Sequence, residues 1–156
     1  LITHLAGVRF STAAGTDVLS DYEEGFFTPV FTNPPAGLVY TSQRGTYVKI
    51  GTIVNVYMNL AYNSASGTNE MYIYAPFISV NLSGASIAVQ GFCTIFRAQG
   101  SSIIGTPVSV SIARQSTRLS LQKADTTNKN AQGSTLKYQD VPEGQFLINF
   151  CYNTQA

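Results

Sequence analysis

Asp21, Glu23 and Glu24 fall within four positions of one another in the segment DYEEGFFTPVF, directly before Phe26 and Phe27, in a chain with only 8 acidic residues. Two carboxyl groups beside aromatic side chains are the equipment of a glycoside hydrolase, which needs them roughly 5 to 9.5 Å apart across the scissile bond. An extended backbone works against that use. Successive side chains of a strand project to opposite faces, so Glu23 and Glu24 diverge while Asp21 and Glu23 share a face. The chemistry that remains is electrostatic: the carboxylates mark a structural junction and pair with Arg44 and Lys49 in the basic motif that follows. At a surface such a pair contributes about 0 to 1 kcal/mol, so it sets register more than stability. No catalytic residue is assigned, and the chain is expected not to be an enzyme.

A second constellation is better suited to binding. Tyr57, Tyr62, Tyr72 and Tyr74 lie near Asn59, Asn63, Asn69 and Glu70 in the sequence, and lectin-like sites combine aromatic faces for sugar C–H patches with amides and carboxylates for hydroxyls. Tyr57, Tyr62, Asn69, Glu70, Tyr72 and Tyr74 are therefore the candidate glycan-binding residues. The competing reading is that these tyrosines fill an inter-sheet layer or a subunit interface, their hydroxyls finding partners at the rim. KADTTNKNAQGS, Lys123 to Ser134, reads as a loop, either a receptor-contacting tip or an ordinary solvated connection. Its Asp125, Asn128 and Asn130 offer oxygens but lack the glycine and closing glutamate of a calcium loop. Cys93 and Cys151 have no metal-site spacing and read as buried thiols. His4 has no nucleophile nearby for a triad. No metal and no cofactor is expected.

The elements that position these residues follow from composition and periodicity. A chain of 156 residues suits one domain. Charged residues make up 11%, far below the roughly 25% of ordinary soluble domains, so the surface is polar but mostly uncharged. With a net charge of +1 and nine scattered Lys and Arg, neither a phosphate-neutralising patch nor a polybasic face is present, which excludes nucleic acid as an expected partner. No apolar run approaches about 18 residues, and LITHLAGVRF is too short and too lightly charged for a signal or spanning segment, so no membrane insertion is expected. Leu1 in place of a start methionine points to a piece of a longer chain. Residues 1–20 read as a linker whose Leu5, Val8 and Phe10 pack against other copies, and residues 21–156 as the head domain.

Period-two alternation recurs between clusters of Gly, Pro, Asn and Ser, so the domain is all-β. In TIVNVYMNLAY, Val54, Val56, Met58, Leu60 and Tyr62 point one way, and Ile53, Asn55, Tyr57, Asn59 and Ala61 the other. That second face is mixed, which suits a strand covered by a second sheet or a neighbouring subunit. Strands are predicted in FFTPVFT, RGTYVKIG, EMYIYAPF, SIAVQGFCTIFRA, TPVSVSIAR, TRLSLQK, STLKYQD and GQFLINFCYN. Met71 and Ile73 face inward in EMYIYAPF with Tyr72 and Tyr74 outward, and Phe146, Ile148, Phe150 and Tyr152 share a face in the last strand. About eight strands at this spacing give an antiparallel β-sandwich, jelly-roll-like, with a ligand-holding barrel as the alternative.

VLSDYEEGFFTPVF followed by YTSQRGTYVKIGTIVNV resembles a recurrent terminal module of bacteriophage tail fibres and tailspikes. Asp21, Tyr22, Glu23, Glu24, Gly25, Thr28 and Pro29 match its acidic stretch and aromatic-Thr-Pro. Gln43, Gly45, Tyr47, Lys49, Ile50 and Gly51 match its Gln-x-Gly-x-Tyr-x-Lys-Ile-Gly. Ala75-Pro76-Phe77 is similar to its Leu-Pro-Phe, and the closing FCYNTQA to its terminal strand. Phe27 stands where a Trp is usual, Phe26 where a small polar residue is usual, and Ser20 where a second Asp is usual. The resemblance implies a homotrimeric distal domain of a virion protein, assembled in the host cytoplasm and carried on the phage tail. Its expected role is host attachment through a bacterial surface polysaccharide or lipopolysaccharide. A trimerisation clamp for an upstream shaft or enzymatic β-helix, without receptor contact, is the competing role. A capsid-type jelly roll or cellular adhesin domain would keep the fold and lose the resemblance.

Overall fold

The computed structural model describes residues 22–63, 65–80, 108–123 and 134–154 in full, together with the backbone of 8–9, 18–19 and 87–99. It is all-β and antiparallel. The strands are β1 (Val8–Arg9), β2 (Val18–Leu19), β3 (Tyr22–Phe27), β4 (Val39–Ile50), β5 (Ile53–Asn63), β6 (Tyr72–Tyr74), β7 (Ile87–Gln99), β8 (Val108–Ala113), β9 (Arg118–Lys123), β10 (Ser134–Thr135) and β11 (Glu143–Asn153). Among the described residues β1 and β2 pair with each other alone. The rest form one ladder in the order β10-β9-β8-β7-β11-β5-β4-β3, with β6 beside β10 on the free edge of β9.

The alternation read from the sequence decides which side of this ladder is buried. Val54, Val56, Met58, Leu60 and Tyr62 of β5 are buried, as are Phe146, Ile148, Phe150 and Tyr152 of β11, while Ile53 and Tyr57 stay half exposed. Val110 and Ile112 of β8, Leu119 and Leu121 of β9, and Met71 and Ile73 at β6 join the same cluster. One ladder whose two halves share one core is folded over on itself, sandwich-like.

Two corner segments make the fold-over. β7 pairs through Ile87 to Cys93 with β8 and through Phe92 to Gln99 with β11, with register shifts in both ladders; strands that change sheets in this way turn the corners of β-sandwiches. The second corner is the DYEEGFFTPVF segment. Its first part, β3, pairs with β4. Beyond Pro29 the chain pairs instead with β6, through a Phe31–Ile73 bridge, Thr32 N–H to Tyr72 O at 2.9 Å and Tyr74 N–H to Val30 O at 3.1 Å. Alternation continues through the change of partner: Phe26 and Thr28 are exposed, whereas Pro29 and Phe31 are buried. The strand expected over FFTPVFT is therefore split, because Pro29 has no N–H to donate to a continuing ladder. Gln43 Nε2 donates to Pro29 O at 3.0 Å, and Phe31 N–H to Tyr40 Oη at 2.9 Å, which fixes the turn.

Phe31 is the centre of the core. Its ring meets Tyr62, Tyr138 and Phe146 edge-on at centroid distances of 5.5, 5.3 and 6.4 Å, and stacks near Tyr40 at 6.0 Å. Such pairs contribute roughly 0.5 to 1.5 kcal/mol each beyond area burial. STLKYQD, expected as a strand, keeps only two strand residues before turning into a 3-10 helix over Tyr138–Asp140. Asp140 causes the turn: its carboxylate accepts from Lys137 N–H at 2.9 Å and from Lys123 Nζ at 2.9 Å. Cys151, expected to be buried, is exposed, since it falls on the outward phase of β11 opposite Asn55; the side chain of Cys93 lies outside the described residues.

Candidate functional site

The glycan-binding set expected from the sequence does not assemble. Tyr62 is 1% exposed, and its hydroxyl donates to Val141 O inside the core; burial pushes its pKa far above the ordinary tyrosine value. Tyr57 lies on the outer surface of β5, on the opposite phase of the same strand. Tyr72 and Tyr74 face outward from β6, in the other half of the ladder. There Glu70 accepts from the Tyr72 hydroxyl, and the Arg118 guanidinium sits 4.1 Å from the Tyr72 ring centroid. The carbonyl of Asn69 receives Tyr138 N–H at 3.3 Å. Tyr72, Glu70 and Arg118 thus satisfy one another, away from Tyr57.

The acidic junction brings in two tyrosines. Glu23 stands directly opposite Lys49 in the β3–β4 ladder, as the expected pairing requires, and its carboxylate accepts from Tyr47 Oη at 2.5 Å. Glu24 points to the other face and accepts from Tyr22 Oη at 2.6 Å. Hydrogen bonding to these carboxylates raises the pKa of both phenols. Arg44 is not a partner of this pair, since it lies five residues from Lys49 along β4, roughly 17 Å for an extended chain. Asp21 lies outside the described residues, as do His4, Asp125, Asn128 and Asn130. Glu23 and Glu24 face away from each other and share no cleft.

Two glycines hold this junction closed. Gly25 lies opposite Tyr47, and Gly45 opposite Phe27. A Cβ on Gly45 would lie 2.5 Å from the Phe27 ring, and one on Gly25 would lie 2.8 Å from the Tyr47 hydroxyl. Each aromatic lies over the glycine across from it, the arrangement by which edge glycines are covered in sheets. Tyr47 also packs edge-on against Phe77 at 4.9 Å.

On the opposite face the same strands build a cleft. Cross-strand register sets Phe26 beside Thr46, Thr46 beside Tyr57, and Tyr57 beside Asn149. Phe26 is 88% exposed and Tyr57 48%. With the small Thr46 between them, the two rings stand as walls over a low floor. Arg44, two positions along β4, closes one end. The cavity holds about 450 Å³ and is also lined by Phe27, Thr28, Gln43 and Gly45, within the roughly 300 to 1,000 Å³ of small-ligand sites. Of these residues only Tyr57 was a sequence candidate for binding. Strand phase carries the missing signal, because an extended DYEEGFF segment must turn one of its two phenylalanines outward.

Among the described residues no cluster of three or more His, Cys, Asp or Glu could hold a metal ion, and no helix is long and apolar enough to cross a membrane. Comparison with protein-family models and with curated proteins gave no match.

Proposed function

We propose that this chain is a non-catalytic attachment domain of a bacteriophage tail fibre or tailspike, which binds a glycan of the bacterial surface, polysaccharide or lipopolysaccharide. The reading joins the DYEEGFFTP and QRGTYVKIG motifs to one observation, the outward cleft between Phe26 and Tyr57. An 88% exposed phenylalanine gains nothing from folding and is suited to contact with something else, and aromatic walls at a groove are the usual platform for sugar rings. Among the described residues Glu23 and Glu24 lie on opposite faces of β3, which speaks against their serving as a hydrolytic pair. The test is adhesion: the isolated domain should label host cells and a subset of a glycan array, and Phe26→Ala and Tyr57→Ala should abolish both signals. Undiminished labelling by both variants would remove the cleft from the function.

A second reading is favoured by a different observation. Tyr22, Val39, Ile50 and Ile53 are 40 to 59% exposed on the outer face of the β3-β4-β5 layer, the mixed face expected from the sequence to be covered. A homotrimer clamp would cover it. Light scattering decides: a mass near 16.8 kDa at micromolar concentration removes the clamp, and a trimeric mass lost in Ile53→Asp supports it.

A further inference from the structure

Resting on the glycan-attachment reading, we propose that the Phe26–Tyr57 cleft takes a saccharide bearing a carboxylate, a hexuronic-acid type of residue, with Arg44 pairing to the carboxylate.

The floor and walls come from consecutive strands of one layer. Adjacent strands run about 4.7 to 4.9 Å apart, so the backbones carrying Phe26 and Tyr57, two strands apart, are separated by roughly 10 Å. With a threonine between them, that leaves room for one pyranose ring lying against an aromatic face, not for a packed helix or strand. Arg44 supplies the polar discrimination. It is exposed, lines the cavity, and its guanidinium has no hydrogen-bond or ion-pair partner among the described residues. The contrast within the molecule is informative: Arg118 lies over Tyr72 and Lys123 is held by Asp140, whereas Arg44 sits uncommitted beside two exposed rings. A guanidinium presents a planar fork of donors that matches a carboxylate bidentately. Glu24 keeps its negative charge while accepting from Tyr22, but it stands opposite Val48, four residues along β4 from Arg44 and roughly 13 Å away for an extended chain, and Glu23 turns to the other face. Thr46, Asn149 and the Tyr57 hydroxyl offer both donors and acceptors to sugar hydroxyls.

The experiment is calorimetric titration of the 156-residue chain with trigalacturonate and with the same trisaccharide after reduction of its carboxyl groups, for wild type, Arg44→Gln, Arg44→Lys, Phe26→Ala and Tyr57→Ala. Arg114→Gln, which removes the same charge at an exposed turn, is the control, and light scattering is recorded on each variant. The proposal expects trigalacturonate to bind, with affinity falling roughly ten- to a hundredfold on carboxyl reduction or in Arg44→Gln. Arg44→Lys should fall between, because it keeps the charge and loses the fork, and Arg114→Gln should match wild type. Equal binding of the acidic and reduced trisaccharides, lost in Phe26→Ala, overturns the acidic class and leaves glycan attachment standing. Binding that falls equally in Arg114→Gln and Arg44→Gln overturns the role of Arg44. Absence of binding to either sugar, together with a change of oligomeric mass in Phe26→Ala, overturns this inference and the attachment reading alike and makes the cleft a contact between copies.

Discussion

Phe26 and Phe31 are the same residue type, five positions apart in one segment, and they meet opposite fates. Phe31 is 3% exposed at the centre of four aromatic contacts, and Phe26 is 88% exposed beside a groove. Neither hydrophobicity nor neighbourhood separates them. Strand phase does: from Gly25 to Phe31 the odd-numbered residues turn inward and the even-numbered ones outward, and the phase survives the move from β4 to β6 at Pro29. One strand can therefore seal a core on one side and build a binding surface on the other.

The largest test of that division is the pair of alanine substitutions. Phe31→Ala removes the hub of the core and should cost about 3 to 5 kcal/mol in chemical denaturation. Phe26→Ala should stay within about 0.5 kcal/mol of wild type while losing adhesion. Equal costs would mean that strand phase does not separate the two rings.

A step down in size are the covered glycines. Gly45→Ala puts a methyl group into the Phe27 ring and should destabilise by about 1 to 3 kcal/mol, as overpacking does. Trimming the ring in a Gly45→Ala/Phe27→Leu double variant should recover part of that loss, since the two residues are in direct contact. Failure to recover anything would locate the cost in the backbone and not in the ring.

Much of this was legible in the residues. The alternation of β5 and β11 was readable because every second residue is large and apolar, and the inward Met71 and Ile73 followed the same rule. The same alternation already set Tyr57 and Tyr62 on opposite faces, so they could not belong to one glycan site; proximity in sequence outweighed phase. What could not be read was pairing across distance. Nothing local says that β6 lies in the other half of the ladder from β5, or that Tyr47 and Tyr22 reach the carboxylates expected to seek Arg44 and Lys49. The 3-10 turn at Tyr138–Asp140 was missed for the same reason, because Asp140 finds Lys123 on a strand seventeen residues earlier. The cleft is legible only in register, as Phe26, Thr46 and Tyr57 come from three strands.

Alkaline pH probes the buried side. Burial pushes the Tyr152 phenol up to about 12 from the ordinary value of 10.0, although its bond with Phe77 N–H opposes the rise. The folded state then keeps a proton that the unfolded state releases, so the contribution is fully present below about pH 10 and is lost as pH rises towards about 12. Denaturant midpoints should be flat up to about pH 10 and decline above it, and Tyr152→Phe should make that decline shallower without removing it, because burial also raises Tyr62 and Tyr138. A decline unchanged in the variant would assign it to other groups.

The smallest effect asks whether polar atoms inside the core matter as much as their rings. Tyr62 and Tyr138 both touch Phe31, and both are fully buried, but among the described residues only Tyr62 has a hydroxyl partner, the Val141 carbonyl. The Tyr138 hydroxyl has none among them. Removing a bonded hydroxyl leaves a buried carbonyl short of a partner, so Tyr62→Phe should cost about 0.5 to 1.5 kcal/mol. Removing an unbonded one relieves a desolvated dipole and keeps the ring, so Tyr138→Phe should be neutral or slightly stabilising. Equal losses in the two variants would mean that Tyr138 finds a partner, and the inner face would then be bound together by more than shape.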